Sequence, residues 1–144
     1  MFGHTKKVRY AVVGGGQISQ QAFMPGIGRT NNSELAALVT GDPVKADRLA
    51  KLYGITAWSY EQYGDLLTSG EIDAVYVATP NFLHMQYAVP ALEAGIHVLL
   101  EKPMASSVAE AEQILAAQAK GGAKLMIAYP YNQLVTQCHC YKCW

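Results

Sequence analysis

The 144-residue sequence predicts an α/β protein in which a doubly wound parallel sheet forms a single three-layer domain. Six short apolar segments alternate along the chain with segments of helical character, which is typical of right-handed β-α-β crossovers. The predicted strands are apolar throughout, as burial on both faces requires. Only 15% of the residues are charged, below the ~25% usual in soluble domains, which also favours a sheet covered by helices.

The first two strands are each followed by a helix. Residues 7–13 favour a strand that ends at three glycines, and a helix is expected from about Gln17, irregular near Pro25. Residues 35–40 form the second strand. Asp42 then provides an N-cap, followed by a proline at the first helical position, and Gly54 ends this second helix.

Four further strands follow. Residues 55–58, 73–78, 97–100 and 125–128 are predicted as strands three to six. Ser59 with Gln62, and Ser107 with Glu110, resemble capping boxes for helices that end near residues 68 and 120–122. A further helix is expected over residues 84–94 and ends at Gly95.

Composition excludes several functional classes. Eleven basic and eleven acidic residues give a formal net charge of zero, which argues against nucleic-acid or membrane-surface partners recruited by bulk charge. No run is long and apolar enough to span a bilayer, and no signal peptide is recognised, so a soluble, cytoplasmic protein is expected. The first 137 residues contain no cysteine, which fits a reducing compartment.

The last residues differ from the rest. All three cysteines, Cys138, Cys140 and Cys143, lie within the final seven residues. A zinc site is conceivable, but four ligands within six residues leave no loop for a tetrahedral site to close, so no metal is expected. We expect a dinucleotide-type domain over residues 1–129 and an atypical tail over 130–144. The tail is either a native but unusual terminus or, as we favour, out-of-frame or truncated sequence.

A glycine-rich loop lies between the first strand and the first helix. Gly14, Gly15, Gly16, Gln17 and Ile18 approach the G-x-G-x-x-G pattern, with Ser19 in place of the last glycine. Such a loop lets a pyrophosphate approach the N–H groups at a helix N-terminus, which is the Rossmann-type arrangement. The loop therefore predicts a dinucleotide, and the alternative is a glycine-rich turn with no ligand.

The end of the second strand bears on which dinucleotide binds. No carboxylate stands at Thr40-Gly41, where one would accept from the ribose hydroxyls of NAD. Thr40 can donate to a phosphate, Gly41 removes bulk, and Lys45 lies one turn into the next helix, so NADP is favoured. In the alternative, Asp42 binds the ribose of NAD and Lys45 is a solvated surface residue.

Two further strand ends reach the carboxyl edge of the predicted sheet, where ligands bind in open α/β folds. The fourth strand leads to Thr79, Pro80, Asn81 and His84, and the fifth to Glu101-Lys102-Pro103. Taken singly, these could be a turn residue, a helix-start histidine and a surface ion pair. At a shared edge, a lysine can protonate or polarise a substrate oxygen beside a nicotinamide ring, and a neighbouring carboxylate can orient it.

These segments together resemble the N-terminal domain of the Gfo/Idh/MocA oxidoreductase family over about residues 7–129. The resemblance rests on residues 13–18, on Thr79-Pro80-Asn81 with His84, and on Glu101-Lys102-Pro103. Residues 38–42 and 50–55 are most similar to the glucose-fructose oxidoreductase branch, whose members use NADP.

The resemblance implies a role for each matched residue. Gly14, Gly15, Gly16, Gln17 and Ile18 would hold the pyrophosphate, and Thr40, Gly41 and Lys45 the adenosine phosphate, with Tyr53 a weaker candidate near the adenine. Thr79, Pro80, Asn81 and His84 would line the nicotinamide side. Glu101 and Lys102 would contact the nicotinamide ribose and the substrate, with Lys102 as the catalytic residue aimed by a cis peptide bond before Pro103.

The implied activity is hydride transfer between NADP, or alternatively NAD, and a carbon of a small sugar or polyol. The resemblance implies a second α/β domain that forms the substrate pocket in family members, and we expect no counterpart of it in these 144 residues. The alternative function is therefore a dinucleotide-binding module or fragment without turnover. A methyltransferase is disfavoured because Glu101-Lys102-Pro103 would have no role there. Whether the chain forms a homo-oligomer is left open.

Overall fold

A computed structural model describes residues 6–129, which contain a six-stranded sheet with every strand parallel to its neighbours. The strands are Val8–Val13 (β1), Ser33–Val39 (β2), Thr56–Trp58 (β3), Ala74–Val77 (β4), His97–Glu101 (β5) and Leu125–Ala128 (β6). The α-helices are Met24–Ile27 (α1), Pro43–Tyr53 (α2), Tyr63–Thr68 (α3), His84–Glu93 (α4) and Val108–Gly121 (α5). A π-helix, Ser19–Phe23, precedes α1, and a 3-10 turn, Asn81–Leu83, precedes α4.

The strand order is β3-β2-β1-β4-β5-β6, so the predicted doubly wound α/β fold is confirmed. The chain runs outward from β1 to β3, then returns to the centre and places β4 on the other side of β1. A crevice opens at such a reversal, outside the carboxyl ends of the strands. The segments that follow β1, β2, β4 and β5 therefore all reach one edge of the sheet.

Both faces of the sheet are buried. Neighbouring residues of one strand point to opposite faces, so Val12 packs with Met24 of α1 and Leu49 of α2, while Val13 belongs to the larger cluster on the other face. That larger cluster includes residues from the three remaining helices, namely Leu66, Leu92 and Ile114. Helices on both sides explain why the strands contain so few polar residues. No helix within residues 6–129 is long and apolar enough to cross a membrane.

Most of the predicted helix boundaries are confirmed. The Asp42 side chain accepts hydrogen bonds from the N–H groups of Val44 and Lys45, and α2 ends at Gly54, whose φ is 65°. Ser107 caps α5 by accepting from the N–H of Glu110. Left-handed residues at helix ends favour glycine, because a Cβ is strained there.

One of two local predictions needs correction. The helix expected after Ser59 begins only at Tyr63: Gln62 Oε1 accepts from the Ser59 N–H at 3.1 Å, but the residues between them form a turn. The irregularity expected near Pro25 is confirmed: it is the π-helix that ends at Phe23, two residues before the proline. Proline has no N–H and its ring crowds the carbonyl four residues earlier, which here is that of Gln21, so the preceding turn widens.

Helices α4 and α5 pack closely at Gly121. A Cβ built on this glycine would overlap the carbonyl oxygen of Leu92 and would lie 2.7 Å from its carbonyl carbon. The contact joins the last turn of α5 to the last turn of α4. Only a residue without a side chain fits this position, which the sequence suggested only as part of a helix stop.

An ion pair joins β1 to the start of β4 at the amino edge of the sheet. Arg9 donates through Nε and Nη2 to the two carboxylate oxygens of Asp73, at 2.9 and 2.8 Å. The backbone N–H of Arg9 also donates to Asp73 Oδ2. The hydrogen-bonded guanidinium holds the pKa of Asp73 well below its usual range.

We expect Asp73→Asn to lower the free energy of unfolding by about 1–2 kcal/mol at neutral pH, because the pair is partly exposed. The pKa of Asp73 is lower in the folded than in the unfolded chain. Its stabilisation is therefore fully present above about pH 4 and is lost as the pH falls through the folded value. Urea unfolding at several pH values, with Asp47→Asn in the exposed Lys51–Asp47 pair as the control, checks this. An equal loss in both variants would contradict it.

Candidate functional site

The turn after β1 requires its first glycine. Gly14 has a φ of +101°, and a Cβ there would lie 2.8 Å from the carbonyl oxygen of Ala78. The side chain of Ser19, in place of the last glycine of the pattern, is buried and donates to the carbonyl oxygen of Gly14 at 2.6 Å. Ser19 therefore closes the turn with a hydrogen bond, and its presence leaves the loop geometry intact.

Of the other two glycines, Gly15 is buried and Gly16 faces outward. Nothing lies within 4 Å of a Cβ built on Gly16, and Gln17 and Ile18 behind it are exposed. Helical backbone starts at Gln17, and the first N–H groups of a helix have no partner within it. Gly16, Gln17 and Ile18 thus present backbone at an open helix start, as an anionic ligand requires.

Lys45 reaches the glycine loop from the first turn of α2. Its Cδ would lie 3.1 Å from a Cβ on Gly15, so this glycine leaves room for the lysine stem. The ammonium lies 3.9 Å from Asp42 Oδ2. One turn further along α2, Arg48 donates to Gln20 at 2.8 Å, and Gln20 donates to the carbonyl oxygen of Gly15. The start of α2 therefore brings two cations beside the loop.

Asp42 is occupied by its cap. Its Oδ1 accepts from two backbone N–H groups at 3.0 Å, and the pKa of Asp42 is lowered chiefly by the hydrogen bond from the Lys45 N–H. Thr40 is buried, and its hydroxyl accepts from the Asp42 N–H at 3.4 Å. The loop after β2 thus holds Thr40 and Lys45 together while the carboxylate faces its own helix.

Two tyrosines near the segment after β2 lie in positions that the sequence analysis did not predict. A Cβ on Gly41 would lie 3.4 Å from the ring of Tyr60, a residue that the sequence did not single out. The placement of Tyr53 near the adenine, which the resemblance implied, was wrong. It is the last residue of α2, and it lines a hollow with Lys7, Ser33 and Leu35, at the amino end of the sheet. A crossover helix returns to the amino edge, so its last residue lies far from a ligand at the carboxyl edge.

The turn after β4 contains an unsatisfied polar atom. Thr79 is buried, and its hydroxyl has no hydrogen-bond partner in the described part of the chain. Buried hydroxyls are almost always paired, so an orphan at a ligand-binding edge indicates a missing partner. Pro80 and Asn81 follow on the surface and start the 3-10 turn.

His84 joins the two loops that follow β4 and β5. The residue is 1% exposed, with Nδ1 lying 2.8 Å from the carbonyl oxygen of Pro103 and Nε2 3.0 Å from that of Thr79. Both ring nitrogens are thus directed at backbone. In the structure, His84 links the backbone of the loop after β4 to that of the loop after β5. Its contact with a ligand stays a prediction.

The segment after β5 carries the charged pair. The Lys102-Pro103 peptide bond is cis, as the resemblance implied. Glu101 accepts from the hydroxyl of Tyr76 through Oε1 at 2.6 Å and from the Lys102 N–H through Oε2 at 3.2 Å. Lys102 is exposed and lines a cavity of about 410 Å³ at the carboxyl edge. The other main lining residues are Ile18, Phe23, Ile27, Tyr76, Leu99 and Ala128.

The site as a whole fits a dinucleotide. An open glycine loop at a helix start suits a pyrophosphate, and Lys45 adds an ammonium group beside that loop. The orphaned hydroxyl of Thr79 and the cavity beside Lys102 suit the other end of such a molecule. Residues 6–129 contain no cluster of three or more histidine, cysteine or acidic side chains suited to a metal. The cysteine-rich segment lies outside the described residues.

Fold and site therefore define a dinucleotide-binding Rossmann domain. Residues 8–129 match the Gfo/Idh/MocA model, described as an oxidoreductase family with an NAD-binding Rossmann fold. The chain belongs to this family. The family match supports binding of NAD or NADP. It does not distinguish between these two dinucleotides.

Relatives agree with this assignment. The chain is 36% identical over 124 residues to a D-xylose 1-dehydrogenase [NADP(+)] of Haloarcula marismortui, covering 85% of this chain and 34% of that protein. A crystal structure of aldose-aldose oxidoreductase from Caulobacter crescentus, complexed with glycerol, superposes with a TM-score of 0.85 at 40% identity, over 89% of this chain and 39% of the other. The WlbA dehydrogenase from Bordetella pertussis, in complex with NADH and UDP-GlcNAcA, gives 0.82 at 28% identity, over 92% and 38%.

The chain spans about a third of the length of the curated relatives that it matches. Relatives of the cofactor domain thus include proteins named for NADP and one crystallised with NADH.

Proposed function

We propose that this chain is the cofactor domain of an oxidoreductase that transfers hydride between NADP and a carbon of a small sugar or polyol. The observation that carries the choice of NADP is the start of α2: Lys45 lies against Gly15, while Asp42, the one carboxylate in the loop after β2, caps its own helix. A 2′-phosphate would meet an ammonium there and no free carboxylate. The names of the xylose and inositol dehydrogenases support a carbohydrate substrate.

The nicotinamide ring of NADP, when bound, accepts or supplies the hydride. The chain's residues would bind and orient: Gly14 to Ile18 hold the pyrophosphate, Thr79 to Asn81 line the nicotinamide side, and Glu101 receives ribose hydroxyls. Lys102, exposed at the cavity, would exchange a proton with the substrate oxygen as that carbon is oxidised or reduced. The cysteine-free body of the chain supports a cytoplasmic location.

Parallel titration of the chain with NADPH and NADH, followed by fluorescence, tests the cofactor. We expect tighter binding of NADPH, and we expect Lys45→Ala to weaken NADPH about 10- to 100-fold while changing NADH affinity less than about twofold, because one charged contact to the phosphate is lost. Lys51→Ala, on the same helix and paired with Asp47, is the control and should change neither. Tighter NADH binding by the unaltered chain would favour Asp42 as the ribose ligand.

A second candidate function is cofactor binding without turnover, which is supported by the family match over residues 8–129, described as an NAD-binding Rossmann fold. Incubation of the chain with NADP and a panel of aldoses and polyols, monitored by absorbance of the reduced cofactor, separates the two. Reduction that requires both the sugar and Lys102 supports the oxidoreductase. Tight NADPH binding with no reduction supports the binding module.

A further inference from the structure

Tyr76 lies on the floor of the cavity, with its hydroxyl directed at Glu101. Tyr76 is 3% exposed. The 2.6 Å separation between its hydroxyl oxygen and Glu101 Oε1 is typical of a hydroxyl that donates to an ionised carboxylate. Neither the sequence motifs nor the proposed function assigns Tyr76 a role. A buried tyrosine usually pairs with backbone or water, so a pair with a carboxylate at the ligand-binding edge asks for an explanation.

Strand register brings the two residues together. Tyr76 of β4 lies opposite Leu99 of β5, and Glu101 is two residues further along β5. Successive side chains of a strand alternate between faces, so Tyr76, Leu99 and Glu101 share one face of the sheet. Glu101 stands one step closer to the carboxyl edge, within reach of the phenol.

The ring of Tyr76 is held in place from above. Phe23, the last residue of the π-helix, stacks on it with a centroid separation of 3.8 Å and an interplanar angle of 14°. Tyr10 packs edge-on against Phe23 at 5.7 Å. Burial, and then the neighbouring Glu101, raise the pKa of Tyr76, so its hydroxyl stays protonated and donates.

The same hydrogen bonds decide where the Glu101 carboxylate lies. The hydroxyl of Tyr76 donates to Oε1, and the backbone N–H of Lys102 donates to Oε2 at 3.2 Å. Glu101 and Lys102 are adjacent in the chain and opposite in charge, yet no ion pair involves the Lys102 ammonium among residues 6–129. The carboxylate is drawn toward the sheet, and the ammonium remains at the cavity.

We propose that Tyr76 is a positioning residue: its hydroxyl holds the Glu101 carboxylate on the floor of the cavity and keeps it off the Lys102 ammonium, which stays available to an oxygen of the substrate. This inference rests on the proposed function, in which Glu101 meets the ribose and Lys102 the substrate. A carboxylate released from Tyr76 would swing toward its oppositely charged neighbour and leave the ribose.

The test uses the whole chain and four variants. Tyr76→Phe removes only the hydroxyl, and Tyr10→Phe does the same to a tyrosine of the same aromatic cluster, two residues earlier in register on β1. Glu101→Gln and the Tyr76→Phe/Glu101→Gln double variant complete a cycle. In protein labelled with [13C]lysine, the Cε resonance of Lys102, assigned with Lys102→Ala, reports on the ammonium without any cofactor. NADPH affinity is measured in parallel.

We expect the Lys102 resonance to move in Tyr76→Phe, to return toward its original position in the double variant, and to change little in Tyr10→Phe or Glu101→Gln. We expect Tyr76→Phe to weaken NADPH about three- to tenfold, and the double variant to bind as Glu101→Gln does, because Tyr76 acts through Glu101.

An unmoved Lys102 resonance in Tyr76→Phe, or additive losses of affinity in the double variant, would overturn the proposal. If Tyr76→Phe does not fold, Glu101→Gln alone decides: a large shift of the Lys102 resonance would mean that the two charges already pair. If the unaltered chain does not bind NADPH, the proposed function fails, and the cofactor-free resonance still determines whether Tyr76 positions Glu101.

Discussion

Replacing Gly121 by alanine should lower the free energy of unfolding by about 3 kcal/mol, the largest stability loss that we expect from a single methyl group in this domain. The new Cβ would overlap the carbonyl oxygen of Leu92, which belongs to helical backbone and cannot rotate away. Helices α4 and α5 would have to move apart along a contact that is buried on both sides by Leu92 and Ile114. Close packing leaves no space for such a movement without loss of other contacts.

Urea denaturation monitored by circular dichroism measures this loss, with Gly64→Ala as the matched control. Gly64 lies in α3, where an added Cβ would meet nothing within 4 Å, so alanine should be neutral or stabilise by about 0.5–1 kcal/mol. Equal stabilities of Gly121→Ala and the unaltered chain would mean that the two helices lie further apart than described.

Replacing Lys102 by alanine should reduce turnover about 10²- to 10⁴-fold in an enzyme that carries this domain together with its substrate domain, with NADPH affinity changed only a few fold. Lys102 is exposed at the cavity, and its ammonium makes no ion pair among residues 6–129, so its loss should leave the domain folded. Proton exchange with a substrate oxygen is needed in the transition state, whereas in the proposed function the cofactor is held by residues after β1, β2 and β4 and by Glu101.

Steady-state kinetics and NADPH titration of the same preparations separate the two effects. Lys102→Arg is the informative companion, because arginine keeps the charge but releases its proton far less readily. We expect it to bind cofactor normally and to remain slow. A loss of NADPH affinity equal to the loss of turnover would assign Lys102 to cofactor binding.

The sheet was predictable because each strand is short, apolar and bounded by a strong signal. Asp42 with Pro43 marks the start of α2, and Gly54 its end, and the structure has both. Ser59 with Gln62 misled because a side-chain bond to a backbone N–H also forms in a simple turn, so half of a capping box does not start a helix. The π-helix before Pro25 has no sequence pattern of its own.

Within the site, the motif-bearing loops were predicted, and the contacts between them were not. Gly14 and Lys102 could be predicted as site residues from their residue type and from their position directly after a strand. Tyr60 against Gly41 and Tyr76 against Glu101 depend on which strands are neighbours and on their register, which no local pattern contains. Tyr53 was misplaced for the same reason, since the direction of a helix across the sheet decides which edge its last residue reaches.

The separation between Lys45 and Lys102 has an evolutionary consequence. Lys45 belongs to the loop and helix after β2, on one side of the central strand, and Lys102 follows β5, on the other. In the proposed function, substitutions beside the 2′-phosphate of NADP therefore need not disturb the lysine that exchanges the proton. Under the proposed function, coenzyme preference can therefore diversify through one short segment, independently of the residue that exchanges the proton.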